Sequence, residues 1–124
     1  MTLTRIITVL IVSFTLWKAP AANAEPFTVY VAVWRGCEDA CKGFQDYIRE
    51  EKIDVNIVVR DAERDKSRLP GFVREAKQLG ADLVVTWGTS VTLGMVGTIT
   101  DHDPERHITD IPVVFMIVAD PVGA

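Results

Sequence analysis

The sequence predicts an α/β domain, a parallel sheet with helices on both faces, and three observations point there. Four short runs rich in β-branched residues, 27–34, 55–59, 83–87 and 111–118, read as strands. Helical spacing of apolar residues separates them, and Gly, Pro and hydroxyl residues mark the boundaries. Strand–helix alternation of this kind implies right-handed crossovers and a sheet covered on both sides.

The elements justify this in order. Between the first two strands, Cys37, Ala40, Cys41, Phe44, Tyr47 and Ile48 recur at spacings of three and four, opposite Glu38, Asp39, Lys42, Gln45, Asp46, Arg49 and Glu50. That is one apolar and one solvated helix face. The alternating-sign run 60–66 reads as a solvated connector after the second strand. Pro70 suits a first helical turn, Phe72, Val73, Ala76 and Leu79 form the inward stripe, and Gly80 ends it. A third helix is expected to start at Thr89 or Ser90, capped by a hydroxyl, and to run through Val91, Met95, Val96 and Ile99. Gly94 and Gly97 cost it stability but permit close packing. The acidic loop from Asp101 to Asp110 follows, with His102 and His107, and is read as a solvated connection rather than a zinc site because the spacing is loose. The expected strand order is 2-1-3-4, flavodoxin-like, which puts the ligand-binding edge at the carboxyl ends of the first and third strands.

The amino terminus reads as an export signal. Arg5 begins it, the run 6–17 is its apolar stretch, and Ala22-Asn23-Ala24 is a small-x-small cleavage pattern. At a dozen residues the run is too short to span a bilayer, which takes roughly 20. Cleavage after Ala24 would remove Arg5 and Lys18 and leave residues 25–124 with 11 basic against 17 acidic side chains, net −6. That balance argues against nucleic-acid binding, and 100 residues suffice for one domain but not two.

The predicted sheet edge gathers Trp34, Arg35 and Gly36, then Gly88, Thr89 and Ser90, then Ala119, Asp120, Pro121, Val122 and Gly123. Gly88 lets backbone approach a ligand, and the amides of the next turn suit a carboxylate. Thr89 or Ser90 serves either the ligand or only the cap, Trp34 and Trp87 either stack on a ligand or fill core, and Arg35 is either a clamp or a solvated charge. Cys37 and Cys41 are spaced C-x-x-x-C, which leaves open a disulfide, two buried structural thiols or a catalytic or metal role. No nucleophile–base pair, phosphate loop or paired-carboxylate pattern stands out, so neither enzyme activity nor a cofactor is expected.

The segment 81–90, ADLVVTWGTS, followed by Ile111-Pro112-Val113-Val114-Phe115 and Asp120-Pro121-Val122-Gly123, resembles the ABC-transporter substrate-binding proteins that include the periplasmic tryptophan/tyrosine type. The resemblance runs from Phe27 to Ala124 and would make residues 25–124 the first lobe of a periplasmic-binding-protein-like fold, truncated before its second lobe. It implies a periplasmic protein that captures a small, amino-acid-like or carboxylate-bearing solute for an inner-membrane permease and its ATPase. It implies ligand contacts at Trp34, Gly88, Thr89, Ser90, Ala119 and Asp120. The cysteine pair departs from that pattern and supports an alternative, a small periplasmic thiol/disulfide redox protein. A lobe ending just after an apolar strand is further expected to leave that strand partly uncovered and prone to association. Amino-terminal sequencing of the exported product is expected to begin at Glu25; a product that keeps Met1 and fractionates as an integral membrane protein overturns the export reading.

Overall fold

The structure, a computed structural model, describes residues 25–119. The export signal and the Asp120 end of the site therefore lie outside the described residues. The elements are β1 (Phe27–Val33), α1 (Asp39–Glu50), β2 (Val55–Asp61), a 3-10 turn (Lys66–Arg68), α2 (Leu69–Gln78), β3 (Leu83–Trp87), α3 (Thr89–Val96) and β4 (Val113–Met116). All four strands are parallel, in the expected order β2-β1-β3-β4. Among the described residues no helix is long and apolar enough to cross a membrane.

Alternation along β1 builds two cores. Val29, Val31 and Val33 point to one face, where they meet Val85, Trp87, Cys41 and, half-buried, Phe44. Tyr30 and Ala32 point to the other, against Leu69, Phe72, Val73, Ala76, Val84, Val91 and Met95 of α2, β3 and α3. A strand buried on both faces is the mark of a parallel sheet sandwiched by helices. Gly94 serves the second core: a Cβ there would collide with the Leu69 side chain, so its bareness is what seats α3 against α2.

Several boundaries differ from the sequence reading, each for a local reason. In α1 only Cys41 is buried, while Ala40 and Tyr47 stand in solvent, because the helix meets the sheet along a narrower stripe than its periodicity suggests. Leu79 is likewise exposed beyond the end of α2. α3 stops at Val96 rather than continuing through Ile99, since Gly97 turns the chain with φ +79° and Ile99 is left 83% exposed. β2 extends to Asp61, taking Arg60 and Asp61 out of the expected connector. The loop after α3 is tied down rather than free in water. Ile108 donates its N–H to Met95 O at 2.7 Å, Lys77 Nζ donates to the carbonyls of Pro104 at 2.7 Å and His107 at 3.0 Å, and His107 and Ile108 are buried. Sequence polarity hid these bonds because backbone carbonyls, not side chains, accept them.

β4 is shorter than the apolar run that contains it, and its outer side is open. Val113 packs on the α2–α3 core, but Val114, Phe115 and Met116 are 46%, 53% and 38% exposed. Register with Val85 and Trp87 puts Val114 and Met116 on the α1 face, beyond the reach of α1 itself.

One polar network fastens α2 to the sheet. Tyr30, fully buried on β1, donates its hydroxyl to Glu75 Oε2 at 2.8 Å, and Arg60 on β2 grips the same carboxylate through Nε at 3.0 Å and through Nη2. The Arg60 hydrogen bond, joined by that of Tyr30, holds the Glu75 carboxyl below its ordinary range, while burial and the adjacent carboxylate push the Tyr30 phenol up. A depressed carboxylate pKa contributes stability above its unfolded value and loses it as pH falls through the folded one. Glu75→Gln is therefore expected to destabilise the domain at pH 7, by no more than about 1 kcal/mol because the ion pair is partly solvated, with the difference from wild type shrinking below pH 4 in urea titrations. A difference that stays constant down to pH 3 would show that the Glu75 charge contributes nothing.

Candidate functional site

Parallel order places the carboxyl ends of β1, β3 and β4 side by side, and the segment after each turns over the same edge. β1 delivers Trp34, Arg35 and Gly36, β3 delivers Gly88 and the first turn of α3, and β4 delivers Ile117, Val118 and Ala119. Trp34, Arg35, Gly36, Glu38, Trp87, Gly88 and Ile117 enclose a cleft of about 150 Å³. Ligand sites that bury a whole small molecule ordinarily start near 300 Å³, so this edge amounts to one wall of such a site.

Gly88 is the pivot. It sits at φ +101°, ψ 151°, a conformation essentially closed to side-chain-bearing residues. It donates its N–H to Met116 O at 2.9 Å, and its carbonyl accepts from Thr92 N and the Thr92 hydroxyl, each at 3.0 Å. Behind it, the buried Thr86 and Thr92 hydroxyls share a hydrogen bond of 2.9 Å. The turn between β3 and α3 is thus rigid.

Gly88 itself occupies the cap position of α3, and neither hydroxyl caps the helix, contrary to the sequence expectation. Thr89 is the first helical residue, and its Oγ1 accepts the N–H of Ala119 at 3.0 Å, tying the end of β4 to the start of α3. Accepting there leaves the Thr89 hydroxyl proton available to another acceptor. Ser90, one residue on and so about 100° around the helix, opens instead on a groove lined by Lys66, Leu69, Pro70, Leu93, Gly94, Arg106 and His107. Trp34, Gly88, Thr89 and Ala119 are gathered at one edge; Ser90 faces away from it.

The remaining candidates divide between wall and core. Trp34 is half-buried and packs against the α2–α3 core, so it is a wall with a fixed ring rather than a free arm. Arg35 is exposed and paired to Glu38 at 3.0 Å, side chain to side chain. Trp87, only 6% exposed, belongs to the α1-side core as well as to the cleft, and its indole nitrogen has no hydrogen-bond partner among the described residues. A buried donor left unpaired is uncommon, and nothing in composition or spacing marks it. Cys37 and Cys41 form a disulfide with Cα atoms 5.2 Å apart, directly behind the Arg35–Glu38 turn. Among the described residues no three His, Cys, Asp or Glu side chains are grouped as a metal site. A second groove of about 380 Å³ runs along the C-terminal half of α3 beside Phe115 and Val118; its walls are mostly apolar, with Thr92, Thr98, Thr109 and His102 as polar members.

No family model matches the chain, and no curated protein matches it. Two solved structures do. One is a substrate-binding protein with adhesive properties from Clostridium difficile in its ligand-free, open form, with TM-score 0.62 and 14% identity over 77% of this chain. The other is an ABC domain from Streptococcus pneumonia in complex with L-Trp, with TM-score 0.60 and 24% identity over 79% of this chain. The chain has the fold of a substrate-binding-protein lobe. It spans 32% of the length of each of those structures, so the likeness concerns one lobe and its topology.

Within that lobe, Gly88→Ala tests the pivot. Forcing a Cβ into a glycine-only conformation is expected to cost about 1–3 kcal/mol, measured by chemical denaturation, although the space around it is adequate, with Trp34 Cβ 3.8 Å away. A variant of wild-type stability would mean that the β3–α3 turn adopts another conformation.

Proposed function

We propose that this chain is the first lobe of a periplasmic substrate-binding protein that captures a small carboxylate-bearing solute, amino-acid-like in size, and presents it to an inner-membrane permease driven by an ATPase. The observation that carries the reading is the convergence of three strand ends on one edge, with the first turn of α3 behind the rigid Gly88. The amides of that turn and the Thr89 proton favour an anionic group. Trp34 and Trp87 give the adjoining wall an aromatic character suited to a flat or apolar side chain. The L-Trp complex of a protein with this fold makes tryptophan and its relatives the first ligands to try. The reading is one of binding without catalysis.

The disulfide favours a second reading, a small thiol/disulfide redox protein acting through Cys37 and Cys41. The two diverge in solution: a redox protein reduces or oxidises a model dithiol catalytically, and a binding lobe does not.

Calorimetric titration of the full-length protein with a panel of amino acids, L-tryptophan first, is expected to find saturable binding of a carboxylate-bearing member and no chemical change in it. Thr89→Val is expected to weaken that binding by about 1–3 kcal/mol, the range for a lost hydrogen bond to a charged group, whereas Ser90→Ala leaves it unaltered. Equal affinity of the Thr89 variant and wild type would remove Thr89 from the site. Catalytic dithiol turnover, abolished by Cys37→Ser, would favour the redox reading instead.

A further inference from the structure

We propose that the Cys37–Cys41 disulfide is a reducible latch, a thiol-exchange site that fixes the β1–α1 wall of the cleft while closed and releases it when a dithiol opens the bond. The wall has little else to hold it. Val33 O and Trp34 O accept N–H groups from Ala62 and Arg64 at 2.9 and 2.8 Å, and the next backbone bond is Lys42 N–H to Glu38 O at 2.9 Å, where α1 begins. Among the described residues, Arg35, Gly36 and Cys37 make no backbone–backbone hydrogen bond between those two points. Besides the packing of Cys37 on the α1-side core and the Gln45 contact to its sulfur, their restraints are the Arg35–Glu38 pair, exposed on both sides and so weak, and the disulfide. Cys41, the inner sulfur, has no exposure and is packed among Val29, Val31, Val33, Val85 and Trp87. The bond thus carries the rigidity of the sheet core out to the rim of the cleft.

The same placement sets the direction of exchange. Cys41 is sealed off and Cys37 is half-buried, so an incoming thiolate meets the Cys37 sulfur. Attack there forms a mixed disulfide with the reductant and breaks the Cys37–Cys41 bond, and Cys41 departs as a thiolate and takes up a proton. The second thiol of the reductant then closes its own disulfide and frees Cys37, which is protonated in turn. In sum, two electrons and two protons pass from the dithiol to the protein. Burial among apolar side chains disfavours charge on the departing Cys41, and two features offset it. Cys41 is the third residue of α1, within the turn whose free amides favour negative charge, and the side-chain amide of Gln45 reaches both sulfurs, at 3.0 Å from Cys37 Sγ and 3.7 Å from Cys41 Sγ. Because the bond closes a loop of only four residues' separation, it adds comparatively little to global stability, and opening it leaves the sheet intact.

The latch follows from the geometry of the β1–α1 segment; its bearing on ligand capture rests on the proposed function. Its test accordingly needs no ligand. The whole protein is equilibrated in dithiothreitol buffers, its free thiols are trapped with iodoacetamide, and amide hydrogen exchange is followed in the disulfide and dithiol forms. The dithiol form is expected to exchange about tenfold or more faster at the first hydrogen-bonded amides of α1, residues 42–45, with 83–96 unchanged. Cys37→Ala/Cys41→Ala should match the dithiol form under any redox condition, and Gln45→Ala should slow opening without altering either end state. Identical exchange at 42–45 in both forms, a bond that resists dithiothreitol unless urea is present, or loss of protection throughout the domain on reduction would each overturn the latch.

Discussion

Parallel pairing of β1 on both of its edges is the constraint on which the rest depends. Seven consecutive residues of β1 register with β2 and five with β3, so β1 is interior along nearly its whole length. A strand with neighbours on both sides and helices on both faces has no polar outlet, which is why Val29 to Val33 are all buried and Tyr30 needs Glu75 for its hydroxyl. Once β1 is central, the crossover rule sends α1 to one face and α2 and α3 to the other. The ends of β1 and β3 must then emerge side by side. The cleft is a consequence of strand order before any side chain in it is chosen.

This is also why the fold was legible in the sequence and much of the site was not. Strand identity and order follow from β-branched runs, helical spacing and punctuation, all local signals that parallel-sheet rules convert into topology. The edge residues Trp34, Gly88, Thr89 and Ala119 follow from topology in turn. What failed was finer. A hydroxyl next to a glycine at a helix start reads as a cap, yet Gly88 takes the cap position because only glycine reaches its backbone angles, and Thr89 is thereby freed to hold Ala119. Ser90 looked equivalent to Thr89 in sequence, but a helix turns neighbouring residues apart. The cover lent by the 98–110 loop, with its buried His107 and Ile108, depends on Lys77 reaching carbonyls about 30 positions away, which no local pattern encodes.

The two faces of the sheet are unequal. The α2–α3 face is thick, closed by Leu69 against Gly94 and pinned by the Tyr30–Glu75–Arg60 network. The α1 face is thin: one helix with a single buried residue covers β1 and its neighbours, and Val114 and Met116 of β4 extend past it into solvent. The moving parts of a binding edge belong where local packing is weakest. Here that is the α1 side, and the β1–α1 turn lies on it.

A thin face explains why a covalent bond stands where it does. Cys41 is the one side chain of α1 that reaches full burial, and a small apolar sulfur suits the shallow space left above Val31 and Val33. A larger residue would lift α1 away from the sheet, and a polar one would leave an unpaired group beside the already unpartnered Trp87 indole. Pairing Cys41 with Cys37 rather than leaving it a thiol extends that single anchoring point to the rim at no cost in volume. The rigid side of the cleft, Gly88 with Thr86 and Thr92 behind it, is held by hydrogen bonds that reduction does not touch. One wall is therefore fixed by polar bonds in the core and the opposite wall by a bond that can be opened, so the cleft can change its shape without the sheet changing its own.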